Sequence, residues 1–222
     1  MPAQRVSIRV ESVDLDGVLH LPEDEVIGGC AVLHGFGGDP DQPHIVAVSE
    51  ALARSNVAAL RFAFRDHRPP RMTLETGLAD AAGAIRVLKA HPQIPERLGV
   101  VGFSFGGTVA ALAAARDHRL RVAVLAAAPA LAQSHFTAWA NAKWKPVAEL
   151  SRTRARVLLI WGSRDTEVPF ADAERYASVL AQARVTNKIL TIEGGDHDFS
   201  PAGPRAEMAK TVAGWVRESL ER

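Results

Sequence analysis

Short, continuously apolar segments recur along this chain and alternate with segments of helical periodicity. Each apolar segment is too short for a buried helix, and its lack of apolar–polar alternation is typical of a parallel strand covered on both faces. Because strand and helix alternate to the C-terminus, the pattern predicts an α/β fold, a mostly parallel sheet with helices on both faces. The predicted strands are Cys30–Leu33, Val57–Leu60, Leu98–Val101, Val122–Leu125, Val157–Ile160 and Ile189–Ile192.

The N-terminal residues follow a different pattern. Apolar and polar residues alternate from Val6 to Val10 and from Val13 to Leu21, with a tight turn at Glu11-Ser12, which predicts an antiparallel pair at a sheet edge. No linker, repeat or low-complexity segment follows, so we expect one domain over residues 1–222, with 129–154 as a short cap. The predicted helices span 44–55, 74–90, 105–116, 171–181 and 206–220.

Composition excludes several classes of protein. The 222 residues carry 26 Lys and Arg against 25 Asp and Glu, a formal net charge of +1, whereas a nucleic-acid-binding domain would show a strong basic excess. The single cysteine, Cys30, excludes an internal disulfide and a CxxC metal pair. Since no apolar segment has signal-peptide or membrane-spanning length, we expect a cytoplasmic protein with no membrane or nucleic-acid partner. The oligomeric state stays open.

The most specific motif is Gly102-Phe103-Ser104-Phe105-Gly106, which joins a predicted buried strand to an Ala-rich helix. A sharp turn between strand and helix forces the central serine into a strained backbone conformation, and its neighbours two residues away must lack a Cβ atom. Ser104 then projects above the sheet at a helix N-terminus, where developing negative charge is favoured. The alternative is a glycine-rich turn with a helix-capping serine.

A serine nucleophile needs a base, and the base needs a third group that orients it. Both partners must follow strands, in the order serine, acid, histidine. Asp165 follows the strand that ends at Ile160, and His197 follows the strand that ends at Ile192. We therefore predict Asp165 as the orienting acid and His197 as the general base, with Glu167 and Asp172 as weaker rivals for the acid.

The segment His34-Gly35-Phe36-Gly37-Gly38 directly follows the first central strand. Acyl transfer needs N–H donors aimed at the developing oxyanion, and we predict the backbone amides of Phe36 and Phe105 in that role. His34 is predicted to hold this loop through a side-chain hydrogen bond, and a role as catalytic base is the alternative. No HExxH or GxGxxG motif occurs, so we expect neither a metal nor a cofactor.

Together these four motifs resemble the α/β-hydrolase superfamily over nearly the whole chain, and within it the small carboxylesterases and the dienelactone-hydrolase-like group, which includes bacterial cinnamoyl esterases. The resemblance implies an eight-stranded, mostly parallel sheet with the second strand antiparallel, a minimal lid, and a Ser104–Asp165–His197 triad. The sequence departs from dienelactone hydrolases, which use cysteine where Ser104 stands, and segment 129–154 is shorter than the lid of many cinnamoyl esterases.

These features predict a serine hydrolase for carboxylic esters of small to medium acyl groups, with water as the second substrate. A thioester, lactone or amide substrate, perhydrolysis, and a non-catalytic small-molecule receptor or interaction module stay open as alternatives. Arg65, Arg68 and Arg71 are interpreted as a solvated surface loop. The candidate pocket walls, which could equally cap the core, are Phe136, Trp139, Trp144 and Phe199.

The placement of charges on this fold favours a neutral ester. Acidic residues fall at the predicted catalytic end of the sheet and arginines at the opposite end, partly as a complement to the helix dipoles. The acidic set is Asp39, Asp41, Asp66, Asp165, Glu167, Asp196 and Asp198, and the basic set is Arg97, Arg116, Arg119, Arg121, Arg152, Arg154 and Arg156.

Overall fold

A single eight-stranded sheet organises the computed structural model, which describes residues 3–68, 71–130 and 145–222. The strands are β1 (Ala3–Val10), β2 (Val13–His20), β3 (Gly28–Leu33), β4 (Val57–Phe62), β5 (Leu98–Phe103), β6 (Leu120–Ala126), β7 (Arg156–Gly162) and β8 (Asn187–Ile192). Their order is β1-β2-β4-β3-β5-β6-β7-β8, and only β2 runs antiparallel to the rest. The predicted mostly parallel sheet with an antiparallel second strand is confirmed.

Apart from the short helix in the predicted cap, the helices match the periodic segments of the sequence. They are α1 (Pro43–Arg54), α2 (Leu74–Ala90), α3 (Phe105–Arg116), α4 (Pro146–Leu150), α5 (Ala171–Gln182) and α6 (Ala202–Glu221). The largest difference is at α6, which begins four residues before the predicted start at Ala206. Pro204 lies inside its first turn, where the missing N–H of proline breaks no helical hydrogen bond.

Both faces of the sheet are covered, which explains why its central strands lack alternation. Along β3, Ala31 and Leu33 belong to one hydrophobic core, whereas Cys30 and Val32 belong to the core on the opposite face. Helices α1 and α6 cover the second of these cores, and α2, α3 and α5 cover the first. Since successive side chains of a strand point to opposite faces, a strand covered on both faces must be apolar throughout.

The strand order changes direction at β3. The chain proceeds from β3 to β4 on one side, and the next strand, β5, lies on the other side of β3. The connections that leave β3 and β5 therefore diverge, since α1 packs on one face of the sheet and α3 on the other. Ligands of open α/β sheets bind at such a switch point.

Arg65 is part of the buried structure, and its interpretation as a solvated surface residue is wrong. Its backbone N–H and its Nε donate to the two carboxylate oxygens of Asp80, at 2.9 and 2.6 Å, and its Nη1 donates to Glu11 Oε2 at 3.0 Å. Asp80 is fully buried in α2, so the guanidinium supplies the charge that this carboxylate needs. Arg68, which pairs with Asp39, and Arg71 are exposed, as predicted.

The chain after β6 is fixed by α3 and α5. The carbonyl of Pro129 accepts hydrogen bonds from Thr108 Oγ1 and Tyr176 Oη, and the N–H of Ala130 donates to Asp172 Oδ2. The predicted cap contains the short helix α4, while the candidate pocket walls Phe136, Trp139 and Trp144 lie outside the described residues. Within the described ranges, no helix has both the length and the apolar character needed to cross a bilayer.

The Arg65–Asp80 pair yields a test of stability. Substitution Asp80→Ala leaves a mostly buried guanidinium without its main partner, so we expect the free energy of unfolding to fall by about 3–5 kcal/mol. Urea denaturation of the wild type and the variant measures this loss. The matched control is Asp14→Ala, which removes the partner of Arg9 from a surface pair, and it should cost less than about 1 kcal/mol. Equal losses in the two variants would contradict the structural role of Asp80.

Candidate active site

Ser104 lies in the turn between β5 and α3 in a strained backbone conformation. Its φ of 51° and ψ of −121° fall in a region that residues with a Cβ atom rarely adopt, at a cost of about 1–3 kcal/mol. The flanking glycines allow this turn to close. A Cβ on Gly102 would lie 2.1 Å from the carbonyl oxygen of Gly106, and a Cβ on Gly106 would lie 2.6 Å from that of Leu33. The predicted need for glycine at both positions is confirmed.

The loop after β3 lies directly beside Ser104. A Cβ on Gly35 would lie 3.3 Å from the Ser104 Cβ, so a larger residue there would press on the serine. The next residue, Phe36, stacks edge-on against Phe105, with ring centroids 5.9 Å apart. As the first residue of α3, Phe105 has a backbone N–H with no carbonyl acceptor inside its own helix. The structure thus brings together the two residues predicted to supply oxyanion donors.

His34 holds this loop by two hydrogen bonds. Its Nδ1 lies 2.8 Å from the carbonyl oxygen of Gly35, and its Nε2 lies 3.1 Å from the backbone N of Phe64. One neutral tautomer satisfies both contacts, since Nδ1–H donates and Nε2 accepts. Burial lowers the pKa of His34 to about 4, which keeps the ring in that neutral form. The predicted side-chain hydrogen bond is confirmed.

Arg61 secures the far end of the same loop. This buried side chain on β4 donates from Nε to His20 Nε2 at 2.9 Å and from Nη1 to the carbonyl of Pro40 at 3.0 Å, and it pairs with Asp41. Burial, followed by the charge of Arg61, lowers the pKa of His20, so its Nε2 stays available as an acceptor. The loop between β3 and α1 is therefore held from both ends by buried groups.

Asp165 and His197 form a hydrogen-bonded pair at the carboxyl ends of β7 and β8. His197 Nδ1 lies 3.0 Å from Asp165 Oδ2, while the other carboxylate oxygen accepts the N–H groups of Glu167 and Val168 at 2.9 and 3.0 Å. Both side chains are largely buried, so their contact is shielded from water. The second rival acid, Asp172, lies in the first turn of α5 and binds Ala130 and Arg175.

The pKa values of both members of this pair are shifted in the direction that favours the charged forms. Burial by itself would raise the pKa of Asp165, but the hydrogen bonds from His197, Val168 and Glu167 outweigh it, and the pKa is lowered. Burial would likewise lower the pKa of His197, but the hydrogen bond and charge of Asp165 reverse this, and the pKa is raised above 6.5. His197 can therefore accept a proton and share the resulting charge with an ionised Asp165.

The loops that carry Asp165 and His197 are packed backbone against backbone. A Cβ on Gly162 would lie 2.2 Å from the carbonyl oxygen of Gly195, and the N–H of Arg164 donates to that same carbonyl at 2.8 Å. Asp196 accepts the backbone N–H of Ser200 through its side chain and so fixes this loop. The spacing of the pair is thus set by main-chain contacts, which move little.

Phe199 is not a pocket wall, and that prediction is wrong. The residue is fully buried, and its ring lies edge-on to Phe103, with centroids 6.3 Å apart, in the core beneath the site. Its φ of 50° turns the chain sharply after His197 and directs the side chain inward.

Two residues at this end of the sheet make contacts that the sequence did not indicate. Glu167 Oε2 lies 3.8 Å from His197 Nε2, although its position suggested only a rival acid. His44, in the first turn of α1, is buried against Phe103 with ring centroids 4.8 Å apart, and burial lowers its pKa to about 4. The sequence signal that could have indicated His44 is its place at the N-terminus of a predicted helix, since such N-termini lie at the same end of the sheet as Ser104. Among the described residues, no three His, Cys, Asp or Glu side chains cluster as a metal site would require.

Solved structures of similar fold cover nearly the whole chain. Est1E from Butyrivibrio proteoclasticus matches with a TM-score of 0.83 at 19% identity, over 98% of this chain and 99% of its own. Dienelactone hydrolase from Anabaena variabilis matches with a TM-score of 0.81 at 22% identity, over 99% and 98% of the two chains. At such identities, the likeness establishes the fold alone.

Sequence comparison gives the family. A protein of Synechocystis sp. assigned as a carboxymethylenebutenolidase is 27% identical over 124 residues, which cover 55% of this chain and 48% of that relative. The match thus spans about half the length of the relative. The sequence profile of the Dienelactone hydrolase family matches residues 32–219, which include every residue of the candidate site. The chain belongs to the dienelactone hydrolase family.

Proposed function

We propose that this protein is a serine hydrolase that cleaves carboxylic esters of small to medium acyl groups. Ser104 is the nucleophile, His197 the general base and acid, and Asp165 the group that orients His197. The observation that carries the proposal is the buried hydrogen bond between Asp165 and His197. It uses Nδ1 of the imidazole, so Nε2 stays available for proton transfer.

Acylation uses these groups in a fixed order. His197 Nε2 takes the proton of Ser104 as its Oγ attacks the acyl carbonyl, and the backbone N–H groups of Phe36 and Phe105 stabilise the oxyanion. When the tetrahedral intermediate collapses, the C–O bond to the alcohol breaks. His197 then returns the proton to the leaving oxygen, and an acyl-serine is left.

Deacylation repeats these steps with water. His197 removes a proton from the water as it attacks the acyl carbonyl, and the same two amides hold the second oxyanion. Collapse releases the carboxylic acid, and the proton returns to Ser104. Every proton in the cycle passes through one imidazole, and its charged form is stabilised by Asp165.

Membership of the dienelactone hydrolase family and the likeness to esterase structures support a hydrolytic role. One structure of Est1E, which matches this chain with a TM-score of 0.84, contains ferulic acid, so a related fold accommodates an aromatic carboxylic acid. Thioester, lactone or amide cleavage and perhydrolysis would use the same groups, and a substrate series distinguishes them. The other class of function, a non-catalytic receptor or interaction module, would need no base paired with an acid.

Covalent labelling tests the nucleophile. A fluorophosphonate probe should attach to the wild-type protein at Ser104, and Ser104→Ala should remove both the label and the hydrolysis of p-nitrophenyl acetate. Mass spectrometry of the labelled peptide identifies the residue. Ser163→Ala serves as the matched control, because this serine lies at the same end of the sheet and its side chain accepts the N–H of Gly194. Equal labelling of wild type and Ser104→Ala would refute the catalytic assignment.

The pH dependence of hydrolysis tests the Asp165–His197 pair. Activity needs the neutral imidazole, and its pKa is raised, so kcat/KM should increase with pH through an inflection above 6.5. Asp165→Asn removes the charge that raises this pKa. Because the N–H groups of Glu167 and Val168 hold the amide oxygen, an NH2 donor then faces Nδ1 and favours the wrong tautomer. The inflection should therefore move to lower pH, and kcat/KM should fall about 10³- to 10⁴-fold.

The control for this experiment is Asp196→Asn, which removes a charge from the loop of His197 while the amide oxygen still accepts the N–H of Ser200. We expect it to change kcat/KM less than tenfold. An unchanged inflection in Asp165→Asn would show that His197 does not titrate as the base.

A further inference from the structure

Glu167 lies at the ring nitrogen of His197 that Asp165 leaves unoccupied. Its Oε2 is 3.8 Å from His197 Nε2, on the side opposite the 3.0 Å contact between Nδ1 and Asp165. The Glu167 side chain is 66% exposed, whereas that of His197 is 11% exposed. The carboxylate therefore stands at the entrance to the site, beside the atom through which protons pass.

The position of Nε2 defines which part of a substrate meets this carboxylate. In the proposed cycle, Nε2–H donates its proton to the oxygen of the departing alcohol, so the alcohol portion lies next to Nε2. The acyl portion lies between Ser104 and the amides of Phe36 and Phe105. Glu167 therefore faces the alcohol portion of the ester and not the acid.

The other charged groups around His197 in the described ranges do not neutralise Glu167. Asp165 is buried behind the ring, Asp198 adds a further negative charge, and His44 on α1 is neutral because burial lowers its pKa to about 4. Arg205 on α6 donates to the carbonyls of Phe199 and Ser200 and forms an ion pair with neither Asp198 nor Glu167. Within the described ranges, Glu167 has no lysine or arginine partner.

We propose that Glu167 is a specificity-determining residue that selects esters with neutral or cationic alcohol portions and disfavours those with anionic ones. The inference rests on the proposed function, because it takes the direction of proton transfer from that mechanism. A substrate cation within roughly 6 Å of an exposed carboxylate gains a rate advantage of about three- to tenfold at low ionic strength.

Three butyric esters that share one acyl group test this selection. Butyrylcholine and 3,3-dimethylbutyl butyrate have alcohol portions of the same shape, and only the first is charged. The ester of 3-hydroxypropane-1-sulfonate supplies the anion. In the wild type, kcat/KM should rank cation above neutral above anion, and in Glu167→Gln the cation-to-neutral ratio should fall about three- to tenfold. Added salt should also lower the cation-to-neutral ratio of the wild type.

Glu193→Gln provides the matched control. It makes the same change of charge after β8, and Glu193 forms no ion pair with His197 in the described structure, so its ratios should stay within twofold of wild type. If the neutral ester is hydrolysed and Glu167→Gln leaves the kcat/KM ratios among the esters unchanged, this inference is overturned. The proposed function then still stands. Failure of the wild type to hydrolyse any of the three esters, together with absence of fluorophosphonate labelling, would overturn the proposed function itself.

Discussion

The close approach of backbone to backbone at the switch point is the constraint on which the rest of the site depends. The turn at Ser104 closes only because Gly106 can lie against the carbonyls of Leu33 and His34, and Gly35 can lie against Ser104. These contacts join β3, β5 and α3 without any long side chain between them. Interiors packed this densely do not deform continuously, so Ser104 and the loop after β3 keep a fixed separation. The second pair of loops, at Gly162 and Gly195, follows the same design.

Electrostatics divides the histidines at this end of the sheet into two kinds. Burial lowers the pKa of His34 and of His44 to about 4, so neither gains a proton in the neutral range. His197 is also substantially buried, yet the carboxylate of Asp165 raises its pKa. One acidic partner thus distinguishes a proton-accepting imidazole from two that serve as fixed hydrogen-bonding or packing groups. Local charge separates their roles more sharply than exposure does.

Local patterns predicted most of the fold and the elements of the site. Continuous apolar runs marked β3 to β7, and the glycine spacing around Ser104 predicted a turn that only residues without a Cβ can form. Features that depend on distant contacts escaped prediction. The sequence predicts a solvated loop at Arg65, because the partners Asp80 and Glu11 lie 15 and 54 positions away. It predicts a pocket wall at Phe199, because no local pattern reveals the positive φ. The proximity of Glu167 to Nε2 depends in the same way on how two loops cross.

The antiparallel hairpin of β1 and β2 precedes the region matched by the family profile, which begins at residue 32. Yet it carries His20, the acceptor for Arg61, and Glu11, the second carboxylate of Arg65. Both arginines belong to the end of β4 and the segment after it, and Arg61 also holds the loop beside Ser104. The hairpin therefore cannot be exchanged independently of the rest of the sheet. A chimera that takes the hairpin from a relative must import matching partners for both arginines, or the loop beside Ser104 will be held less firmly.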